Sequence, residues 1–531
     1  MSDKRSIKTI IFHGGILAMA GILVRIIGLL YRIPMVNIIG AEANGIYSAA
    51  FNVYNLMLVL SSYGLPMAVS KLVSARIENK KFKNAAAVFN MAMAISMVTG
   101  GLAGLFMSLG AGWIERTFYA KYAGIALPLK VLAPTVFIVS MLGVFRGFYQ
   151  GQGTTIPTAV SQIIEQIVNA IVSVAAGYIL VKKYINSPKQ SGWGAAGGTL
   201  GTCTGAASAL VFLLVLFFVY YPRFQKKTRK SNKVLDESYS SIFKILVITL
   251  IPIIIGQTFY QISAMLDDMI YGKMMMGVSA KVVKTTMGNY SSSYVLLTSV
   301  VLGVASAMSA SLLPSVVASK QHGDFETINE KLKATVKANM FIAMPCFIGL
   351  FVLGEPIVAM LFSSYDSHQG GVMLKLGAVA VIFYTLATVT TTTLQGIDKL
   401  NVPIYHNIVA LAVHIPLLII LLKTTDLGIY AIVIGNASFP ILVMLLNLIS
   451  LYKYTGYTQE IIQSIGVPFV CALFMGICTY GVYKLFFNIS GRVIIGLFFG
   501  FIIAAVTYFG SMFLYEKKLK PIIMNRDYYD D

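Results

Sequence analysis

The chain has 531 residues, of which 57% are hydrophobic and only 12% are charged. Soluble globular proteins carry about a quarter of their residues as charged side chains, so this composition excludes that class. The formal net charge of +20 does not indicate a nucleic-acid-binding protein, because the basic residues cluster in short segments between long apolar runs.

Fourteen apolar runs follow one another along the chain, and each is long enough to span a bilayer as a helix. We therefore predict an all-α polytopic membrane protein without a cleavable signal peptide. The predicted spans are 10–38, 46–70, 84–109, 124–147, 157–182, 196–221, 242–271, 288–313, 334–357, 372–394, 403–423, 427–451, 463–486 and 489–515.

The basic segments between the spans predict the orientation of the chain. Segments 71–83 and 222–244 and the tail after residue 515 are rich in lysine and arginine, as is the amino terminus. All four fall on one side of the membrane if the spans alternate. Because positive loops stay on the cytoplasmic side, we expect both termini in the cytoplasm.

The basic segment 223–241 also divides the chain. It separates a predicted lobe of six spans, 1–222, from a second lobe of six spans, 242–453. The last two spans and the tail form 454–531 and have no counterpart in either lobe.

Short sequence echoes relate the two predicted lobes. Leu65–Lys71 is echoed by Leu313–Lys320, and Gln150-Gly151 is echoed by Gln395-Gly396, in both cases at a spacing of about 245 residues. An even number of spans in each lobe predicts parallel repeats related by an axis along the membrane normal, with the substrate site between them.

The first span carries two arginines, Arg25 and Arg32, within GILVRIIGLLYRIPMVNIIG. They are seven residues apart, which places them on one helix face roughly 10 Å from each other. Charges at membrane depth are costly and usually face water, so this face is predicted to bind an anion. The alternative is that both side chains snorkel to the headgroups. Glu42 follows the span, and Pro34 is expected to kink or end its helix.

A second polar stripe lies in the fifth span, within PTAVSQIIEQIVN. Glu165 is accompanied by Gln162, Gln166 and Asn169 at helical spacing. Such a stripe is typical of a helix face that points into a bundle rather than towards lipid.

The seventh span contains two adjacent carboxylates, Asp267 and Asp268, within GQTFYQISAMLDDMIYG. Gln257, Gln261 and Asp268 share one helix face. The acidic pair either titrates, binds a cation or pairs with an arginine across a cavity, or is simply solvated near the helix end.

No catalytic motif is present in the chain, which contains no HExxH, GxSxG or Walker phosphate loop. We therefore predict that the protein is not an enzyme and has no cofactor. Without a nucleotide site, transport would be driven by the substrate's own gradient, the membrane potential or an ion gradient, with Na⁺ or H⁺ as the coupling ion. His406 and His414 are interpreted as hydrogen-bonded bundle residues rather than metal ligands.

These features together resemble the multidrug/oligosaccharidyl-lipid/polysaccharide exporter superfamily, and most of all its polysaccharide-biosynthesis branch, the stage V sporulation protein B-like group. The resemblance is carried by VRIIGLLYRIPMVNIIGAEANGIYSAAFNVYNLML, YGLPMAVSKLVSARI and FRGFYQGQGTTIPTAVSQIIEQIVN. It implies two six-helix lobes in a V shape with two extra helices, alternating access and a place in the bacterial cytoplasmic membrane. It also implies export of an undecaprenyl-pyrophosphate-linked oligosaccharide, with the peptidoglycan precursor lipid II as the candidate.

The resemblance assigns roles to individual residues of the first lobe. Arg25 and Arg32 are similar to arginines that hold the diphosphate of the lipid, and Glu42 is similar to their acidic partner. Asn55 matches an asparagine of the second span that is followed by a further arginine in the family, whereas no arginine follows it here. Together with the polar residues found above in spans five and seven, the predicted substrate-binding set is Arg25, Arg32, Glu42, Asn55, Glu165, Gln257, Gln261 and Asp268.

A sodium site in the second lobe of some relatives has partial matches in this chain. Asp267 or Asp268, together with Asn407 and Asn436, are the nearest equivalents. Leu411 stands where the family has a second acidic residue.

Two other functions compete with lipid export. A cation-coupled multidrug exporter of the same superfamily would have the same overall shape. A non-transporting membrane scaffold would instead recruit cell-wall or sporulation enzymes. All three functions place the protein in a lipid bilayer, and none of them involves nucleic acid. The lipid exporter would bind a lipid-linked sugar as its substrate.

Overall fold

The computed structural model describes residues 2–230 and 237–519, and every regular element within these ranges is a helix. This confirms the predicted all-α membrane fold. Among the described residues, twelve helices are long and apolar enough to cross a membrane, and the bent pair Ser367–Gly377 and Ala380–Gly396 raises the number to thirteen if it forms one span. The count is below the predicted fourteen because the first two predicted spans run through one helical stretch, Met19–Glu78.

The chain divides into two compact units, Met1–Gly288 and Asn289–Asp531. A single-turn 3₁₀ helix, Ala120–Tyr122, lies between the third and fourth helices of the first unit. The helices of the first unit are α1 (Ser2–Ser61), α2 (Leu65–Glu78), α3 (Phe82–Phe118), α4 (Ala126–Gly151), α5 (Ile156–Lys183), α6 (Gln190–Lys230), α7 (Tyr239–Met274) and α8 (Ala280–Asn289), the last residue of which belongs to the second unit.

The second unit begins with a π-helical stretch, Tyr290–Leu296, which leads into its first α-helix. Further π-helical turns lie at Ile462–Gly466 and Tyr515–Leu519. Its α-helices are α9 (Leu297–Gln321), α10 (Phe325–Leu361), α11 (Ser367–Gly377), α12 (Ala380–Gly396), α13 (Asn401–Thr424), α14 (Ile429–Thr455), α15 (Val467–Ser490) and α16 (Val493–Leu514).

The long first helix is interrupted at Gly40 rather than at Pro34. The helix continues through Pro34, whereas Gly40 adopts φ 80° and ψ 166°, a non-helical conformation that is open almost only to glycine. Of the two effects expected of Pro34, a kink or an end of the helix, the end is excluded. The arginine-bearing part of α1 and the part after Gly40 are two helical segments joined by one glycine.

The echoed sequence motifs take part in similar contacts within each unit. In the first unit Gly151, at the end of α4, packs against Val73 of α2, where an added Cβ would lie 2.8 Å from the valine Cβ. In the second unit Gly396, at the end of α12, packs against Val316 of α9, at 2.7 Å from its Cγ1. Both glycines are needed for close helix approach, which explains why a Gln-Gly pair recurs at these helix ends.

The predicted basic linker, 223–241, overlaps the ends of two helices. Helix α6 extends to Lys230, and α7 begins at Tyr239. Lys233 lies outside the described residues. Glu237, just before α7, forms an ion pair with the buried Arg76 of α2 and accepts a 2.8 Å hydrogen bond from Asn84 of α3. The entry to α7 is thus fixed to the ends of two other helices of the first unit.

Candidate functional site

Helices α1 and α5 lie side by side and run in the same direction. Gly28 of α1 faces Gln166 of α5, whose Nε2 lies 3.0 Å from the position of an added Cβ. One turn further along both helices, Asn169 Nδ2 donates a 3.1 Å hydrogen bond to the Tyr31 hydroxyl. Because both pairs have the same sequence separation, the polar stripe of α5 follows the arginine-bearing part of α1 turn by turn.

The two predicted arginines have different surroundings on α1. Arg32 is partly buried, and its guanidinium Cζ lies 5.5 Å from the ring centroid of the buried Tyr47. A cation over an aromatic face is held by about 0.5–2 kcal/mol, so the ring fixes Arg32 without neutralising it. Arg25 is exposed. Neither arginine forms an ion pair within the part of the chain that the structure describes.

A chain of hydrogen bonds fixes α1 to α5 beside Arg32. Ser173 donates to Asn169 Oδ1 over 2.8 Å and lies 2.7 Å from the Gly198 carbonyl oxygen of α6. Asn169 in turn holds Tyr31, the neighbour of Arg32. The backbone that carries Arg32 is therefore braced by two other helices, which preorganises the guanidinium.

Glu165, the carboxylate of the predicted α5 stripe, forms an ion pair with an arginine. Arg146 of α4 donates from Nη2 to Glu165 Oε2 over 2.6 Å and from Nε to Ser161 Oγ over 3.0 Å. Both charged side chains are partly exposed, at 14% and 26%. We call the following set the polar seam: Arg25, Tyr31, Arg32, Arg146, Glu165, Gln166 and Asn169.

The polar seam carries a net positive charge. Its formal charge is +2, since it contains three arginines and one carboxylate. A positive, partly buried surface inside a membrane-spanning bundle attracts anions, and guanidinium groups bind phosphate oxygens in a bidentate way. This is the chemistry that the two arginines of the first span predict.

Glu42 lies beyond the Gly40 break and pairs with a lysine. Its Oε1 is 2.6 Å from Lys284 Nζ of α8 and accepts a 3.1 Å hydrogen bond from Ser191. The predicted acidic partner of the arginines is therefore engaged at this point by a different cation.

The segment after Gly40 packs on α8 through two glycines. An added Cβ on Gly45 would lie 2.0 Å from the Lys284 carbonyl oxygen, and one on Gly288 would lie 1.8 Å from the Ala41 carbonyl oxygen. Asn44, fully buried, donates to the Gly288 carbonyl oxygen over 2.9 Å. The two backbones touch here, so neither position has room for a side chain.

Asp268 is buried on α7 against the segment after Gly40. It is 3% exposed, and its Oδ2 accepts a 2.8 Å hydrogen bond from Asn52 Nδ2. The Tyr122 hydroxyl reaches the Asp268 carbonyl oxygen at 3.3 Å, and Asp267 beside it is also buried. The reading of a solvated acidic pair at a helix end is therefore wrong for both carboxylates.

The other predicted substrate-binding residues of this unit lie on α7, which carries Asp268, or on α1 close to its partner Asn52. Gln257 and Gln261 are partly buried on α7, and Asn55 is partly buried one turn after Asn52. The predicted face of α7 is thus increasingly enclosed towards Asp268.

Comparisons with known proteins decide the family. Residues 13–320 match the family model described as polysaccharide biosynthesis protein. The chain belongs to the polysaccharide biosynthesis protein family. The matched residues cover more than half of the chain and include the whole polar seam.

Individual relatives of this polysaccharide biosynthesis protein have low sequence identity to it but align over most of its length. It is 24% identical to lipid II flippase MurJ of Bacillus subtilis (strain 168) over 465 residues, or 85% of this chain and 84% of that protein. It is also 24% identical to stage V sporulation protein B of the same organism over 469 residues, or 86% of each chain.

Solved structures give the fold of this family member. Lipid II flippase MurJ in an inward closed conformation matches with a TM-score of 0.66 at 16% identity, over 94% of this chain and 99% of that one. An inward-facing multidrug resistance MATE family transporter of the MOP superfamily matches with a TM-score of 0.62 at 16% identity, over 83% and 98%. These matches confirm the predicted fold.

In the second unit of the polysaccharide biosynthesis protein, Asn436 of α14 accepts a 3.1 Å hydrogen bond from the Tyr294 hydroxyl. Tyr294 lies in the π-helical stretch, and its hydroxyl is also 3.2 Å from the Gly377 carbonyl oxygen. Asn407 is partly buried on α13.

The two histidines of α13 are hydrogen-bonded within the bundle, as predicted. His406 Nδ1 lies 2.6 Å from Asn447 Oδ1, and its Nε2 lies 3.2 Å from Ser450 Oγ. His414 Nδ1 lies 3.0 Å from the Gly435 carbonyl oxygen.

Sequence reasoning missed three contributors to these contacts. Lys284 lies between two predicted spans, where nothing distinguishes it from other basic residues, and Asn52 carries no charge that would mark it in an apolar run. Tyr47 reads as an ordinary core aromatic until Arg32 is placed over it. Asn52 lies one turn before Asn55, which is the only local signal that could have drawn attention to it.

Proposed function

We propose that this polysaccharide biosynthesis protein moves an undecaprenyl-pyrophosphate-linked oligosaccharide across the bacterial cytoplasmic membrane by alternating access, with lipid II as the first candidate. The observation that carries the proposal is Arg32. Its guanidinium is partly buried in a membrane span, braced by Tyr47, and unneutralised by any carboxylate among the described residues.

Electrostatics favours this substrate class. A diphosphate cannot cross about 30 Å of hydrocarbon unaided, and a net positive seam lowers that barrier. The prenyl chain can remain in lipid while the headgroup passes along the protein. The distant relatives named as flippases fit the same activity, and they agree with a transporter rather than an enzyme.

The orientation and the coupling ion belong to the same proposal. With basic loops in the cytoplasm, both termini are cytoplasmic. Asp268 is the candidate coupling group for H⁺ or Na⁺, because it is a buried carboxyl on a spanning helix and the amide of Asn52 donates to it. Asn407 and Asn436 remain candidates for the same ion. Cell-wall synthesis enzymes are the candidate partners.

A multidrug exporter is the second candidate, and the seam argues against it. An exporter of cationic drugs needs an uncompensated carboxylate in its path. Glu165 is the only carboxylate in the seam, and Arg146 neutralises it.

Flipping of a fluorescent undecaprenyl-pyrophosphate sugar in proteoliposomes tests the proposal. The wild type should move the lipid, and Arg25→Ala/Arg32→Ala should abolish movement while leaving folding intact. Arg116→Ala, which removes an exposed guanidinium at the end of α3, is the matched control and should transport normally. Full activity of the double variant would sink the proposal. Movement by the purified protein alone would also dispose of the scaffold function.

A further inference from the structure

Arg146 enters the polar seam from a third helix. Its two recorded side-chain bonds go to Ser161 and Glu165, which lie four residues apart and so one above the other on α5. The two hydrogen bonds hold the planar guanidinium in a fixed orientation against α5.

The contacts between α1 and α5 show where Arg146 lies along these two helices. Gly28 faces Gln166, and Tyr31 faces Asn169, so residues 161–165 of α5 lie level with residues 23–27 of α1. Arg146 is therefore at the level of Arg25. Arg32 is seven residues further along α1, roughly 10 Å away along the helix axis.

The guanidinium of Arg146 retains unused donors. An arginine has five N–H groups, and Nε and Nη2 each make one bond here. Its Nη1 has no partner within the described part of the chain. The side chain is 14% exposed, so a ligand in the seam can reach it.

We infer that Arg146 is a third phosphate-binding residue of the seam, and that Glu165 is a built-in anion that competes with the substrate for it. The inference rests on the proposed function. Three uncompensated arginines would hold a diphosphate too tightly to let it go, whereas transport requires binding that is also weak enough to reverse. Glu165 supplies that weakness, because it replaces the phosphate on Arg146 as the substrate leaves.

Exchange of the two charges separates this role from a structural ion pair. Arg146→Glu/Glu165→Arg keeps an ion pair between α4 and α5 but moves the guanidinium to the other helix. Arg146→Gln and Glu165→Gln each remove one charge. Lys333→Glu/Glu460→Lys is the matched control, since it exchanges a 3.0 Å pair outside the seam.

Binding is measured on the purified full-length protein with farnesyl diphosphate, and with the uncharged alcohol farnesol as the reference. Arg146→Gln should weaken diphosphate binding about tenfold, which is the loss of one charge-assisted bond. Glu165→Gln should tighten it roughly threefold to tenfold and slow turnover in proteoliposomes. The exchanged pair should recover thermal stability relative to Arg146→Gln but bind no better than that variant.

The results distinguish a failure of the Arg146 role from a failure of the proposed function. Wild-type affinity in both the exchanged pair and Arg146→Gln would overturn the role of Arg146, while the proposed function would stand if Arg25→Ala/Arg32→Ala still lost binding. A wild type that binds farnesyl diphosphate no better than farnesol would overturn the proposed function and the inference together.

Discussion

Replacing Gly288 with alanine should separate α8 from the segment after Gly40. The new Cβ would lie 1.8 Å from the Ala41 carbonyl oxygen and must move to at least 3.0 Å, so the backbones shift by about 1.2 Å. The 2.9 Å hydrogen bond from Asn44 to Gly288 cannot survive that shift. Overpacking costs about 1–3 kcal/mol, and the loss of this buried hydrogen bond costs about 1–3 kcal/mol more. Together they lower the free energy of unfolding by about 2–6 kcal/mol.

Thermal unfolding of the purified protein in detergent measures the effect. Gly277→Ala is the matched control, because this residue precedes α8 by three positions and an added Cβ meets nothing within 4 Å. We expect Gly288→Ala to unfold several degrees below both the wild type and Gly277→Ala. Equal melting temperatures for the two variants would refute the reasoning, since the contact would then yield without cost.

Three further changes test other contacts. Asp268→Asn should fold normally but make lipid flipping insensitive to imposed proton and sodium gradients, and a retained gradient response would remove Asp268 as the coupling group. Arg76→Gln should lower the free energy of unfolding by about 1–3 kcal/mol, because it removes the ion pair of this buried guanidinium with Glu237; an unchanged melting temperature would contradict this. Tyr294→Phe should cost about 1 kcal/mol through its lost bond to Asn436, measured by the same unfolding assay, and a cost-free change would show that this bond is dispensable.

The seam was largely visible in the sequence because its signals are local. Arg25 and Arg32 stand out against an apolar run, and Glu165 lies on a stripe with helical spacing. Both patterns depend on the geometry of one helix. That the two helices then run together, with Asn169 on Tyr31, is a tertiary fact that no single span encodes.

Partners far apart in the chain were not predictable. The bond between Asn52 and Asp268 joins residues separated by 216 positions. Lys284 resembles any basic loop residue until α8 brings it to Glu42. Pattern reasoning finds which side chains are costly in a membrane, but the fold alone determines which of them meet.

The conformation of Gly40 has a consequence for how the chain can vary. Its φ of 80° with ψ of 166° strains any residue with a side chain by about 1–3 kcal/mol, although an added Cβ would touch nothing within 4 Å. Gly21 of the same helix has equally open space without a positive φ. In a library of all substitutions, position 40 should therefore be depleted of every replacement while position 21 accepts alanine. Mutational tolerance at these two glycines is set by backbone geometry and not by crowding.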